Sequence, residues 1–438
     1  MHFGNLRGVA QLGSALVWGT RGRRFKSCRP DFPVRNYPFS QIFHDFGFPC
    51  YIILKDTAVE QLAIWIGHSP TIMIAIRHTI FVIALFPLLV SAPAFAETVE
   101  VTGGMSTSVN FQDQIAITVP TAIRTLTVTV PTPSNINLFG YSQAVGDVTL
   151  VSSRTPDQTH PETDALGNKY TVDVFKNPQP GTINFSLSVA AAKISVDLHT
   201  PLPYCPATVT NIPQDVAVYL KPTDKVQSQD PVIVALAHQL AAGATDEATI
   251  TTHIQEYLQK NITYYAAAND DPDDALYVLK NKKSLCDGWA HLFLALARAD
   301  ALPARFVGGY NIGGDIIYPV DAAGRSTLTV SSLGEAHSWV EVWFPSVGWV
   351  PFEPQASAGF VDSHHLTAWT GTDSDAVESI LSWTSSVADS ADISMTETEN
   401  PSGITDQVNV EYFDSDSGPG SYTTLARRRE PETVTPKL

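Results

Sequence analysis

Apolar and polar residues alternate along residues 97–215 and then change period. In Ile123–Val130, Leu126, Val128 and Val130 are apolar at every second position, the mark of a strand with one buried face. Tyr170–Val174, Ile183–Val189 and Ile194–Leu198 continue the pattern, and Leu166-Gly167-Asn168-Lys169 reads as a turn between two of these runs. Short strands at this spacing predict a sandwich. From Asp230 the spacing is helical. Val232, Ile233, Leu236 and Leu240 mark one helix that stops near Gly243, and Ile250, Ile254, Tyr257 and Leu258 mark a second. Trp289, Leu292, Phe293 and Leu296 mark a third, apolar enough to be largely buried. Alternation returns in Glu335–Phe344 and again in Gly348–Gln355, with Pro345-Ser346-Val347-Gly348 as the hairpin between them. After Gln355 the chain turns to Ser, Thr and Asp; Val408–Phe413 offers one strand, and Arg427 to Leu438 is expected to be disordered.

The expected fold class is α+β: an all-β, sandwich-like domain over 97–215, then a domain over 216–370 in which a helix-borne cysteine packs on an antiparallel sheet, then a partly disordered Ser/Asp-rich tail over 371–438. The first 96 residues differ from the rest. Residues 1–72 have no period of either kind, resemble a translated transfer-RNA gene, and are expected to be a disordered upstream extension. Residues 73–96 carry the parts of a secretory signal peptide: Met73, a short polar leader with Arg77 and His78, the apolar run Ile80–Val90, and the small-residue site Ala94-Phe95-Ala96. The run is too short to span a bilayer and is interrupted by Pro87. Cleavage after Ala96 and a periplasmic or secreted location are expected, with membrane contact only during export.

The candidate chemistry lies in three separated stretches. In Ser284–Phe293, Ser284 and Asp287 have capping-box spacing, which places Cys286 in the first turn of the apolar helix. Unpaired N–H groups and the helix dipole favour a thiolate there. His337 lies on the first downstream strand and Glu353 on the second, so thiol, imidazole and carboxylate occur in the order a cysteine hydrolase or acyltransferase needs. If Trp343 pairs with Trp349, His337 is the diagonal neighbour of Glu353, at about 7–8 Å between Cα atoms. Glu341 shares strand parity with His337 and is the alternative acid. Trp289 and Trp339 flank the expected cleft and are candidate substrate-binding residues. His291 falls off the Cys286 helix face and is expected at the surface. His364 and His365 receive no role.

Cys286–Tyr310 followed by His337-Ser338-Trp339-Val340-Glu341 and Trp349-Val350-Pro351-Phe352-Glu353-Pro354 resembles the core of the transglutaminase-like superfamily. The resemblance implies a papain-like fold with Cys286 as nucleophile, His337 as base and Glu353 at the acid position. Two positions depart from the pattern. The family usually carries Asp where this chain has Glu353. It usually has Gly before the Ile-Pro-Ala-Arg turn, where this chain has Ala301. The implied function is cysteine-dependent acyl transfer on amide groups through a thioester: cross-linking, deamidation or peptide hydrolysis. A protease or amidase using the same three residues, and a non-catalytic binding module, are the alternatives.

Charge narrows the partners. Nine Lys/Arg stand against four Asp/Glu before residue 97, so the remainder carries −22 of an overall −17. Such an acidic chain is a poor match for nucleic acid, and a protein or peptide substrate is expected instead. Sequence motifs of zinc or phosphate-loop type are missing, and the acidic run Asn269–Asp274 lacks calcium-loop spacing, so no metal or other cofactor is expected and a helix start at Asp273 or Asp274 is. Loss of the leader leaves Cys205 and Cys286, expected as two separate thiols.

Overall fold

The computed structural model describes residues 97–207, 211–265, 271–319, 327–355, 359–376, 381–384, 393–413 and 422–429. All of them fall in one compact unit. The expected extension and signal peptide lie outside the described residues. None of the described helices is long and apolar enough to cross a membrane.

The N-terminal part is built from β1 (Glu97–Val119), β2 (Thr125–Pro131), β3 (Ile136–Leu138), β4 (Tyr141–Ala144), β5 (Val148–Ser152), β6 (Gln158–Thr163), β7 (Lys169–Lys176) and β8 (Gly181–Asp197). β1 and β8 pair antiparallel along most of their length, and β4 extends the sheet from β8. β2, β7 and β6 form a second sheet. Ile115, Ile117, Ile183, Phe185 and Leu187 of the first sheet pack with Leu126, Val128, Val130 and Phe175 of the second. Alternation put those residues on inner faces, as a sandwich requires. The two runs read separately as 183–189 and 194–198 are one strand, bent where Ala191 takes a left-handed φ of 48° and the β1 register slips between Val109 and Phe111.

The central part contains α1 (Pro231–Ala241), α2 (Glu247–Asn261), β9 (Thr263–Tyr264), α3 (Ala275–Asn281), β10 (Lys283–Ser284), α4 (Cys286–Ala299), β11 (Ala304–Pro319), β12 (Thr327–Phe344), β13 (Gly348–Phe352) and β14 (His365–Gly371). Three helices start on aspartates whose carboxylates accept from the first turn: Asp230, Asp246 and Asp274. β11 to β14 form an antiparallel sheet in the order β13-β12-β11-β14. Helix α4 is buried from Cys286 to Arg298 and packs Leu292, Phe293 and Leu296 with Phe306, Val340, Val342 and Phe344 of that sheet. Each such side chain contributes about 1.5–3 kcal/mol on burial. Arg298 closes the helix end: its Nε and Nη2 donate to the Ala304 carbonyl at 3.0 and 2.9 Å and its Nη1 to that of Lys221 at 2.9 Å. Ala301 adopts φ 61°, the left-handed conformation for which glycine is the ordinary choice.

The C-terminal part differs from its sequence reading. One strand was expected at 408–413; four are present, β15 (Leu381–Thr384), β16 (Ser394–Glu399), β17 (Ser402–Phe413) and β18 (Tyr422–Arg427). β15 adds to β2, and the other three pair with β1. Disorder is corrected for Arg427–Arg429, the rest of that expectation lying outside the described residues: Arg427 is buried and donates through Nε and Nη2 to the Thr200 carbonyl at 3.0 and 2.6 Å. Residues of β16 and β17 stay largely exposed or half-buried, so Ser, Thr, Asp and Glu suffice there and the apolar period that announces a strand is weak.

Candidate active site

Cys286 opens α4, but Ser284 does not cap it. Ser284 lies on β10, paired with Tyr264, and its carbonyl accepts from Tyr265 N–H at 3.0 Å. The capping residue is Leu285, extended at φ −79° and ψ 178°, and no described side chain caps the helix. Gly288 allows this close packing: a Cβ there would lie 2.1 Å from Ser284 Oγ and 2.7 Å from Val278 Cγ2.

Trp343 pairs with Trp349 and Val340 with Phe352, so the β12–β13 register sets His337 diagonally to Glu353. His337 Nε2–H donates to Glu353 Oε2 at 2.8 Å. The Cys286 side chain acts on the same ring, where its hydrogen bonding and charge favour the imidazolium. Burial alone would push the imidazole down; the Glu353 charge, with hydrogen bonds to Cys286 and Glu353, outweighs it and raises His337 to about 9. Burial likewise opposes ionisation of Glu353, yet the two histidines beside it hold its carboxyl far below the usual range. The thiol, imidazole and carboxylate foreseen from sequence are thus brought together. Cys286 is 2 % exposed, and the His337 side chain 12 %.

Other sequence expectations fall differently. Glu341 is taken by Arg305, whose Nε and Nη2 donate to its Oε2 at 2.7 and 2.6 Å, so Glu353 and not Glu341 holds His337. Trp289 and Trp339 are buried in the hydrophobic clusters rather than facing an open cleft. His291, expected at the surface, is fully buried: its Nδ1–H donates to the Asp273 carbonyl at 2.8 Å, its Nε2 accepts from Ser374 N–H at 3.2 Å, and its ring stacks on Phe306. Helical spacing missed this because α4 is covered on all sides. Asp287 does not turn back to the helix start; it is buried and accepts from the Ser338 hydroxyl. Its Oδ1 lies 3.9 Å from the Cys286 sulfur, and burial, followed by the charge of Asp273, moves this carboxyl up toward its neutral form. That weakens the repulsion a thiolate would meet. Cys205 and Cys286 are both free thiols, and Cys205 rests 3.3 Å from Ser346 Oγ.

His365 had been given no role, yet its ring meets the Glu353 carboxylate. Its Nε2–H donates to Oε2 at 3.1 Å and its Nδ1–H to Asp362 Oδ1 at 2.7 Å. The Asp362-Ser363-His364-His365 spacing is the only sequence trace of this arrangement. His337, Glu353 and His365 offer ligand atoms within 4.8 Å of one another, as do Asp113, Glu397 and Glu399. For the first set, the 2.8 Å between His337 Nε2 and Glu353 Oε2 fits a hydrogen bond. Two ligands of a tetrahedral zinc would stand about 3.3 Å apart, given bonds of about 2.0–2.1 Å.

Residues 234–354 match the family model of the transglutaminase-like superfamily. A stretch of 129 residues is 31% identical to the uncharacterized protein YebA of Bacillus subtilis, covering 28% of this chain and 17% of that protein. A stretch of 130 residues is 31% identical to a protein-glutamine gamma-glutamyltransferase of Pseudomonas aeruginosa, covering 28% and 18%. The chain thus spans less than one fifth of the length of these curated relatives. Among solved structures, a candidate cysteine protease from Cytophaga hutchinsonii aligns over 74% of this chain and 95% of its own, with 17% identity and a TM-score of 0.47. The periplasmic domain of TgpA from Pseudomonas aeruginosa aligns over 59% and 90%, with 16% identity and a TM-score of 0.29. The matched segment contains Cys286, His337 and Glu353, so the part of the chain that carries the site is similar to the transglutaminase-like superfamily.

Proposed function

We propose that this protein transfers acyl groups from amides through a thioester on Cys286. The observation that carries the reading is His337 held between the Cys286 thiol and the Glu353 carboxylate. His337 takes the thiol proton, and the thiolate attacks the amide carbonyl. The oxyanion that forms lies at the N-terminus of α4, where the helix dipole favours negative charge. Collapse of the tetrahedral intermediate breaks the C–N bond, and His337 returns its proton to the departing ammonia or amine. His337 then removes a proton from the acceptor, water or a second amine, which releases the acid or the new amide and restores the thiol. Glu353 keeps the ring oriented and balances the imidazolium charge throughout.

Substrates are protein or peptide amides, in keeping with the glutaminyl chemistry in the name of the Pseudomonas relative. The protein works outside the cytoplasm, by the signal-peptide features of residues 73–96. The test is a screen of glutamine peptides with and without an amine donor, comparing the native chain with Cys286→Ala. Ammonia release or amide exchange lost in the variant supports the reading. Equal background in both refutes it and favours a binding module.

A further inference from the structure

We propose that His365 is a positioning residue: anchored by Asp362, it fixes the Glu353 carboxylate so that this long acid can orient His337. The inference rests on the function proposed above and extends it to a residue pair outside the thiol–imidazole–carboxylate set.

A glutamate has one more rotatable bond than the aspartate expected here by family resemblance, and a single hydrogen bond to His337 leaves that freedom open. In this protein both carboxylate oxygens are held. Oε1 accepts from Gln355 N–H at 2.8 Å, and Oε2 accepts from both imidazoles. His365 is itself held between two carboxylates, so both of its nitrogens carry protons and the ring is a cation. Burial opposes that charge, but Asp362, then Glu353, overcome it and raise His365 to about 10. The row Asp362–His365–Glu353–His337 alternates in charge up to the thiol.

The surrounding groups leave His365 little choice of partner. Trp339 meets its ring edge-on at 5.1 Å, and His337 lies 5.4 Å away between ring centroids. Tyr141 of β4 donates its hydroxyl to the His365 carbonyl at 2.7 Å. Neighbouring His364 turns to Asp406, at 3.1 Å. Glu353 and Asp362 are the acids its ring touches.

The experiment uses the full chain and two readouts that do not depend on turnover. The first is the rate of iodoacetamide labelling of Cys286 from about pH 5 to about pH 10, in the native protein, His365→Gln and Asp362→Asn. Removing the cation raises the thiol and the His337 imidazolium together, so His365→Gln should move the labelling window up by about one pH unit and lower its maximum about tenfold. A uniform loss at every pH with no movement of the window indicates a merely structural role and overturns the proposal. The second is nitrogen-15 NMR of the histidine rings. In the native protein His365 should keep both ring protons past about pH 8, and Asp362→Asn should bring its transition down by at least about one pH unit. A neutral His365 in the native protein at pH 7 overturns the proposal even where His365→Gln does not fold. Labelling and NMR results as expected, with no amide chemistry in the peptide screen, would sink the proposed function and leave the positioning role standing.

Discussion

Replacing Glu353 with Gln keeps the size of the side chain and removes the charge that sets His337. The native environment lifts the imidazole from 6.5 to about 9 against the pull of burial. At about 1.4 kcal/mol per pH unit, that lift corresponds to about 3 kcal/mol favouring the protonated ring. The thiolate–imidazolium pair draws on the same energy, so Glu353→Gln should lower its population near neutral pH about a hundredfold. The imidazolium that stabilises the thiolate is then missing near neutral pH, so the pH of half-maximal labelling, set by ionisation of the thiol, should rise. The assay is the pH dependence of iodoacetamide labelling, read by mass spectrometry at Cys286 with Cys205 as the internal reference. The two cysteines are 2 % and 3 % exposed, so ionisation and not access should separate them. A Glu353→Gln protein that labels within about threefold of native, with the pH of half-maximal labelling unmoved, would refute the reasoning.

Three further outcomes follow from the structure. His337 and His365 are raised, so their stabilising contribution is complete below about pH 6.5 and is lost as pH rises through about 9 and about 10; Glu353 is lowered, so its contribution is complete above about pH 4.5 and is lost only in strong acid. The part of the denaturant-measured unfolding free energy lost between about pH 7 and about pH 10 should therefore shrink in Glu353→Gln. Glu247 is fully buried with neither carboxylate oxygen hydrogen-bonded among the described residues, and burial, then Asp246, push it up to about 8. That acid withdraws about 3 kcal/mol of stability as pH rises from 4.5 to 7, so Glu247→Gln should remove this slope from the unfolding curve. Gly288→Ala forces a methyl into Ser284 and Val278; it should destabilise the protein by about 1–3 kcal/mol in urea melts and slow Cys286 labelling by displacing the helix start.

The helix and the hairpin were legible because their signals are local. The apolar spacing of Trp289, Leu292, Phe293 and Leu296 marks α4, and the paired tryptophans Trp343 and Trp349 bracket a short turn, which fixes register and hence the approach of His337 to Glu353. His365 was not legible. It stands at the start of β14, which pairs with β11 across the sheet and not with its sequence neighbour β13, so nothing local brings it to Glu353. Ser284 misled because a capping-box spacing can equally end a strand, and here the backbone of β9 claims that residue. β16 and the first half of β17 escaped because their side chains are polar and largely exposed and their pairing partner β1 lies roughly 300 residues earlier in the chain.

β1 is the first described strand to be synthesised, and β16, β17 and β18, which pair with it, are the last. Helix α4 and its hairpin can assemble from neighbouring segments, but the sheet carrying Tyr141 stays unfinished until residue 427 has left the ribosome. A nascent or proteolytically shortened chain that lacks residues 394–427 would then hold the nucleophile and its hairpin beside an incomplete sheet.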